Sequence, residues 1–240
     1  YVGGNNEFGY FKANEKGNLK YFSISKMIQN KESQNINLIW RIHIHKGEVV
    51  FQSFTKAFFY RNNKLRILNA PNKFQFSFLV NNRLFFQDKV LGVLEHKSGK
   101  LFSLKGTTTL NDKEIWAMFA LPNNKMLLAT LEKGLFVYDY KNVQPWNTEA
   151  NDFIKKNTSL GGSIIKNKFI VLNSVLDGII ICDLNGKIIQ HLNRQKGLQN
   201  NTILTSFVDK KDNIWLGLDN GITFINENSP FTYFDYSYNI

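Results

Sequence analysis

The chain has 240 residues, of which 43% are hydrophobic and 20% are charged, so it can bury a sizeable core. This composition excludes a disordered chain, and no apolar run approaches the roughly 18 residues that a membrane helix needs. The net charge of +11 attracts polyanions such as nucleic acid, anionic lipid or acidic polysaccharide without choosing among them. The single cysteine, Cys182, excludes an intramolecular disulfide framework and a multi-cysteine zinc cluster.

A repeat runs along the whole sequence. Six similar apolar segments centre on Gly9, Ala57, Gly92, Gly134, Gly178 and Gly221. Their intervals of 48, 35, 42, 44 and 43 residues are close to the roughly 40 to 45 residues of one propeller blade. With 21 Phe, 16 Gly and only 4 Pro, the composition favours strands and turns. We predict an all-β protein, a β-propeller of about six four-stranded blade-like repeats. Whether six blades close a ring or belong to a seven-bladed or larger propeller stays open.

The repeats define one propeller domain, or a propeller fragment, over residues 1–240. The predicted blade units are approximately 1–30, 36–70, 73–106, 114–148, 160–194 and 202–236. We letter the strands of a blade A to D. The fourth unit is predicted to hold strands at Ile115–Leu121, Lys125–Thr130 and Gly134–Tyr140, and the sixth at Ile203–Val208, Ile214–Leu218 and Gly221–Ile225. The first unit begins at strand B, and the segment after Tyr233 resembles the approach to a further unit. Residues 147–160 lack alternation and are predicted to form a loop or a short helix.

The repeated glycine marks the turn between strands B and C, where positive φ is often needed. Ala57 departs from this pattern, so its turn should be strained or reshaped. Four or five residues earlier stands a small residue in most units, which suits a crowded position between blades. Gln87 breaks that rule in the third unit.

The last unit carries the most specific motif. Residues 197–203, Gly-Leu-Gln-Asn-Asn-Thr-Ile, and 209–222, Asp-Lys-Lys-Asp-Asn-Ile-Trp-Leu-Gly-Leu-Asp-Asn-Gly-Ile, closely resemble the two-component regulator propeller repeat. Residues 1–10 resemble another good copy of this repeat, and residues 132–138 resemble a fair one. The resemblance implies the periplasmic sensor part of a bacterial inner-membrane regulator, whose output is a histidine kinase or a LuxR-type helix-turn-helix. Several relatives recognise oligosaccharides, so the implied partners are an oligosaccharide or polysaccharide fragment, the remaining domains of the same chain and a homodimer partner. The membrane would be reached only through the full-length protein.

Motifs for catalysis are not evident in the sequence, and we expect neither an enzyme nor a cofactor. His43 and His45 project from one face of a strand, within reach of a shared metal. Because no third ligand is evident, we predict no metal site. Basic residues are scattered over all units without an arginine-rich helix or an aromatic platform, so we expect this segment not to bind nucleic acid.

Ligand contacts are predicted near the loops that enter strand A. Trp40 and Trp116 stand there and can stack on sugar rings, whereas Trp215 is predicted to lie in the core. Because the B–C turns emerge on the same face, Lys56, Lys89, Lys133, Asp177 and Asn220 should ring the mouth and focus potential toward an acidic ligand. Arg41 and Arg66 offer bidentate recognition of a carboxylate or sulfate. The candidate ligand-binding residues are Trp40, Arg41, Lys56, Lys89, Trp116, Lys133 and Asn220.

These features predict a ligand-sensing propeller in a signalling and transcription regulator, binding an oligosaccharide, with charge favouring an acidic one. One alternative is a protein-interaction scaffold without a small ligand. A second is a glycan-cleaving propeller enzyme, which would need paired carboxylates facing one pocket.

Overall fold

A computed structural model of the chain describes residues 1–29 and 35–226. The chain divides into two compact units, residues 1–112 and 113–240. Six consecutive antiparallel sheets carry nearly all the regular structure of the described residues, with one α-helix and short 3₁₀ turns between them. The fold is therefore all-β and of the propeller class, as the repeat predicts, with each sheet corresponding to a blade.

The first unit holds blades one to three. Each sheet pairs its strands in chain order, as a meander. The strands are β1 (Val2–Gly3), β2 (Phe8–Ala13) and β3 (Leu19–Ser23) in blade one, β4 (Arg41–His45), β5 (Glu48–Gln52), β6 (Lys56–Arg61) and β7 (Lys64–Asn69) in blade two, and β8 (Phe74–Val80), β9 (Arg83–Asp88), β10 (Gly92–Lys97) and β11 (Lys100–Ser103) in blade three. Blade one thus starts with the short β1 in the place of strand B, as predicted.

The second unit holds blades four to six. Its strands are β12 (Ile115–Leu121), β13 (Lys125–Thr130), β14 (Leu135–Tyr138) and β15 (Val143–Pro145) in blade four, β16 (Ser159–Ile165), β17 (Phe169–Ser174), β18 (Ile179–Asp183) and β19 (Ile188–Leu192) in blade five, and β20 (Ile203–Val208), β21 (Ile214–Leu218) and β22 (Gly221–Ile225) in blade six. Helix α1 (Glu149–Asn157) lies between β15 and β16. The approach to a further unit that was predicted after Tyr233, and the end of the sixth predicted unit, lie outside the described residues.

Strand bounds match the prediction closely in blades four and six. All three strands of blade six, and β12 and β13 of blade four, have the predicted ends, whereas β14 is shorter than Gly134–Tyr140. Helix α1 confirms the helical alternative for residues 147–160. Its N-cap is Thr148, whose side chain accepts a hydrogen bond from the Asn151 backbone, and Ala150 and Ile154 are buried in the core between blades four and five.

The core consists of layers between neighbouring blades. In the first unit, Val50 and Phe59 of blade two pack with Phe86 and Leu94 of blade three. In the second unit, blade five contributes Val171 and Ile181 to a layer with residues of blade six. Successive side chains of a strand point to opposite faces of its sheet. The strands of blade two, and likewise those of blade five, therefore contribute to one apolar layer on each side of the blade. One wrong register would move a whole strand's apolar side chains out of its layer.

Buried polar side chains close the B–C turns. Ser174 ends β17 with no exposed surface; its hydroxyl accepts from the Asp177 amide at 3.0 Å and donates to the Gly178 carbonyl at 2.9 Å. Thr130 makes the same two contacts in blade four. Asp88 takes this position in blade three, where its carboxylate accepts from the amides of Val90 and Leu91. These side chains replace the backbone partners that a tight turn leaves unmade.

The glycine rule is confirmed in blades three to six and is wrong for Gly9 in blade one, while the reshaped turn predicted at Ala57 in blade two is found. Gly92, Gly134, Gly178 and Gly221 have positive φ. A Cβ at Gly178 would lie 2.0 Å from the Leu192 carbonyl oxygen, so both the positive φ and the lack of space require glycine at this position.

Two repeats close the B–C turn differently. The turn in blade two spans Ser53 to Lys56, with the Ser53 amide donating to the Lys56 carbonyl, so Ala57 already lies in β6 without strain. In blade one the turn ends at Glu7, and Gly9 lies inside β2. Gly9 is needed there because a Cβ would lie 2.1 Å from the Phe22 carbonyl oxygen.

Candidate functional site

Three aromatic rings meet where the chain enters blade two. Trp40 directly precedes β4, Phe54 lies in the B–C turn of the same blade, and Phe76 lies on β8 of blade three. The rings of Trp40 and Phe54 stack with centroids 5.1 Å apart and planes inclined by 23°, and Phe76 meets the edge of Trp40 at 5.9 Å. Trp40 is 42% exposed while Phe76 is buried. We call Trp40, Phe54 and Phe76 the aromatic cluster.

Two cations lie on these rings. The guanidinium carbon of Arg41 stands 4.9 Å from the Phe76 centroid, and the Lys73 Nζ stands 5.2 Å from that of Phe54. Both distances fall within the range of cation–π attraction. Burial lowers the pKa of Arg41 from its usual value. The cluster therefore presents a flat, half-exposed indole with positive charge beside it, which suits a sugar ring bearing an acidic substituent.

A buried polar network anchors the strands that carry the cluster. The Trp40 amide donates to the Gln52 carbonyl, and the Ser77 hydroxyl donates to Gln52 Oε1 at 3.2 Å. His43 Nε2 lies 3.0 Å from the same Ser77 hydroxyl. Burial, and then the charge of Arg41, lowers the pKa of His43 to about 4. His43 therefore adds no buried charge to the network at neutral pH. The hydrogen bonds of the network hold the backbone from which Trp40 and Arg41 project.

Lys56 and Lys89 lie at the B–C turns of blades two and three, as predicted. Lys56 Nζ donates to the Asn35 carbonyl at 2.9 Å. The Lys89 amide donates to the carbonyl of Lys73, the residue whose ammonium lies over Phe54. Lys89 is thus tied through the backbone to the loop that supplies Lys73, although sequence reasoning did not select Lys73.

In the second unit, Trp116 lies at a β-bulge. The pairing of β12 with β13 shifts between Ile115 and Ala117, so Trp116 is the inserted residue, and it is partly buried. The same shift recurs in blades five and six around Leu160 and Leu204. A bulge at this place in strand A re-aims one side chain in each of blades four, five and six. Trp116 is therefore the aromatic member of a set of three equivalent residues, the other two being Leu160 and Leu204.

Lys133 and Asn220 lie in the B–C turns of blades four and six. The Lys133 amide donates to the Thr130 hydroxyl, and Asn220 Oδ1 accepts from Asn200 at 3.3 Å. Asp177 lies in the corresponding turn of blade five, where its backbone amide donates to the Ser174 hydroxyl. Each predicted residue occupies the predicted kind of turn, and the ring that they would form around a mouth stays a prediction.

Trp215 is not a core residue, contrary to the prediction. It is 42% exposed, packs on Phe224 with centroids 4.8 Å apart, and donates through Nε1 to Asp209 at 3.2 Å. At the corresponding strand position in blades two to five, Val50, Phe85, Leu127 and Val171 are buried. Hydrogen bonds from Asn213 above all, followed by that of Trp215, lower the pKa of Asp209 to about 2.

The side chains of His43 and His45 both point toward blade three, where each contacts a different residue. His45 Nε2 lies 3.1 Å from the Asn82 carbonyl and His43 contacts Ser77. Arg66, the other predicted anion contact, lies 4.0 Å above the Phe59 ring and pairs with Glu48 at 3.5 Å. Over residues 1–29 and 35–226, no cluster of three or more His, Cys, Asp or Glu residues could hold a metal ion. Within those same ranges, no helix has the length and apolar character required to cross a bilayer.

Comparison with solved structures identifies the same fold at low sequence identity. The chain is similar to the extracellular domain of the hybrid two-component system BT4673 from B. thetaiotaomicron, with a TM-score of 0.66 and 16% identity over 94% of this chain and 31% of that one. It is similar to the WD40 β-propeller domain of Doa1, with a TM-score of 0.64 and 11% identity over 89% of this chain and 69% of that one. Virginiamycin B lyase from Staphylococcus aureus gives a TM-score of 0.64 and 13% identity over 90% of this chain and 72% of that one.

These likenesses establish the propeller fold. The chain spans about a third of the BT4673 extracellular domain that it matches. No protein-family model and no curated protein matches the sequence.

Proposed function

We propose that this chain is part of the extracytoplasmic sensing region of a bacterial membrane-bound regulator, belonging to the two-component regulator propeller family, with a periplasmic location. The repeat motif of residues 197–222 and the likeness to the extracellular domain of a two-component system support this proposal. The chain acts by binding a ligand, which biases the packing of the sensor and so the output domains of the regulator.

The ligand is an oligosaccharide that stacks on Trp40. One observation carries this assignment: Trp40 is 42% exposed although its ring is fixed against Phe54. A ring that is held in place and still open to solvent loses little conformational entropy when a ligand covers it. Arg41 and Lys73 favour a sugar that carries a carboxylate or sulfate, since both cations lie at the cluster.

Binding to a defined panel tests the assignment. Isothermal titration of the chain with maltotetraose, cellotetraose and a sulfated heparin tetrasaccharide should yield saturable binding of at least one sugar, with the sulfated one weakened by salt. Trp40→Ala should weaken that binding at least tenfold. The matched control is Trp215→Ala, because Trp215 is exposed to the same 42%. If none of the panel sugars binds, or if Trp40→Ala and Trp215→Ala lose equal affinity, the assignment is contradicted and the scaffold alternative is favoured.

We also propose that the segment binds its ligand without converting it. The ring nitrogens of His43 and His45 that face blade three are already engaged by Ser77 and the Asn82 carbonyl, which supports a structural role for them. The likeness to a lyase makes this a proposal that needs its own test. Chromatography of each panel sugar after prolonged incubation with the chain should return it intact, and the appearance of shorter or unsaturated sugars would contradict the proposal.

A further inference from the structure

An open cleft of about 740 Å³ lies in the second unit, and none of the seven candidate ligand-binding residues lines it. It forms where the B–C turn of blade five meets the segment that leads from β19 to β20. Asp177 and Asn201 line it together with five residues of a short stretch, His191, Asn193, Arg194, Gln195 and Lys196. All of these side chains are polar or charged, so the cleft suits a ligand rich in hydrogen-bonding groups rather than an apolar one.

Hydrogen bonds hold the walls of the cleft in place. Asp177 Oδ1 accepts from Asn193 Nδ2 at 2.8 Å, while His191 Nε2 lies 2.9 Å from the Asp177 backbone carbonyl oxygen and 3.3 Å from Oδ2. On the opposite wall, Asn201 Oδ1 accepts from the Arg194 backbone amide at 2.7 Å. The Asp177 carboxylate thus accepts a hydrogen bond from Asn193, and the Asp177 backbone carbonyl holds the His191 ring, so both side chains are fixed in the wall of the cleft.

The cleft has unused recognition groups of two kinds. Asn193 is only 8% exposed, yet its Oδ1 receives no hydrogen bond within the described part of the chain. A buried acceptor without a donor costs free energy that a ligand donor would recover. Beside it, Arg194 and Lys196 are exposed, and neither pairs with a carboxylate of the described residues. The cleft thus offers two cations next to one buried acceptor.

We propose that this cleft binds an acidic sugar. Its carboxylate or sulfate lies between the side chains of Arg194 and Lys196, and a neighbouring hydroxyl donates to Asn193 Oδ1. Inorganic sulfate satisfies the cations but has no hydroxyl group to donate to Asn193 at physiological pH. A neutral sugar supplies the hydroxyl but leaves the cations unused. The site is separate from the aromatic cluster, so it stands or falls independently of Trp40.

Titration of the intact chain with D-glucuronate, D-glucose and sodium sulfate tests this proposal. At low ionic strength we expect saturable glucuronate binding that shifts the ring ¹⁵N resonances of His191. The Arg194→Gln/Lys196→Gln double variant should weaken it at least tenfold. The control is Lys168→Gln/Lys187→Gln, which removes the same charge from exposed turns of the same blade.

Each outcome decides the proposal. Absence of glucuronate binding, or binding that the Arg194→Gln/Lys196→Gln variant keeps in full, would overturn it. Glucose binding as tightly as glucuronate would overturn the role of the cations. Sulfate binding as tightly as glucuronate would overturn the contact between a ligand hydroxyl and Asn193. Trp40→Ala should leave glucuronate binding at His191 unchanged, which separates this result from the test of the aromatic cluster.

Discussion

The Trp40 and Phe54 rings lie in near-parallel contact at 5.1 Å, one from the residue before β4 and one from the turn after β5. Pairing of β4 with β5 brings them together, since Arg41 is the partner of Gln52 and the Trp40 amide donates to the Gln52 carbonyl. The stack therefore depends on strand register. A ligand platform built in this way is as rigid as the sheet that holds it.

Removing a turn hydroxyl should destabilise the protein. Ser174→Ala loses two hydrogen bonds and leaves the Asp177 amide without its partner, while the Gly178 carbonyl keeps the Ser174 backbone amide; the loss should cost about 1 to 3 kcal/mol in the free energy of unfolding. Urea denaturation measures the loss. Ser103→Ala is the control, because that hydroxyl makes a single exposed hydrogen bond, and it should change stability by less than about 0.5 kcal/mol. Equal effects of the two substitutions would contradict the capping role.

Two glycines with positive φ should respond differently to alanine. At Gly178 a Cβ would also collide with the Leu192 carbonyl, whereas at Gly197 nothing lies within 4 Å of the added atom. Gly197→Ala should therefore cost about 1 kcal/mol, from backbone strain alone. Gly178→Ala should cost more, since strain and overlap add, or should prevent folding. Thermal melting orders the two variants, and a more stable Gly178→Ala variant would contradict the close packing of this turn.

Stability should fall as the pH is lowered through the histidine range. Burial, followed by the charge of Arg41 at His43 and of Arg66 at His96, lowers both pKa values to about 4, from about 6.5. The unfolded chain then binds more protons between these values, so the stabilisation is complete above pH 6.5 and is lost progressively toward pH 4.

Denaturation at pH 7 and pH 4.5 measures this effect. The His43→Asn/His96→Gln variant should show a smaller fall in the free energy of unfolding between the two pH values than the unchanged chain. An identical fall in both proteins would show that these two histidines do not carry the pH dependence.

The thiol of Cys182 should be inert in the folded protein. Its side chain is fully buried in the core, and burial, with the nearby Asp183 carboxylate, raises its pKa to about 12. Because the thiolate is the reactive form, a thiol reagent at pH 8 should modify Cys182 only after unfolding. Fast modification of the native chain would contradict the packing between blades four and five.

Local sequence patterns predict the strands and turns of this protein well. Blade six illustrates why: the buried Ile214, Leu216 and Leu218 alternate with the exposed Trp215 and the half-buried Gly217, and Asp209 and Gly221 mark the two turns. Alternation and turn chemistry are properties of adjacent residues, so they can be read from one segment. Ala57 shows the limit, because a turn one residue shorter removes the need for glycine without a visible signal.

The site was harder to predict because it combines distant segments. Trp40 and Arg41 were selected for their residue type, but Phe54, Phe76 and Lys73 join them only through sheet pairing and the contact between blades two and three. Trp215 shows the same limit, since its strand position is buried in blades two to five and no local signal marks its exposure in blade six. The cleft lined by Asp177 and Asn193 likewise forms only where the B–C turn of blade five meets the segment between β19 and β20.

The four tryptophan indole ¹H–¹⁵N resonances measure the central claim most directly. Trp40, Trp116, Trp146 and Trp215 each give one signal, and Trp40→Ala and Trp215→Ala assign the two exposed ones. Titration with the panel sugar that binds most tightly should shift the Trp40 signal to saturation while the Trp215 signal stays in place. A sugar that saturates the protein and leaves the Trp40 signal unmoved would contradict the aromatic cluster as the ligand site.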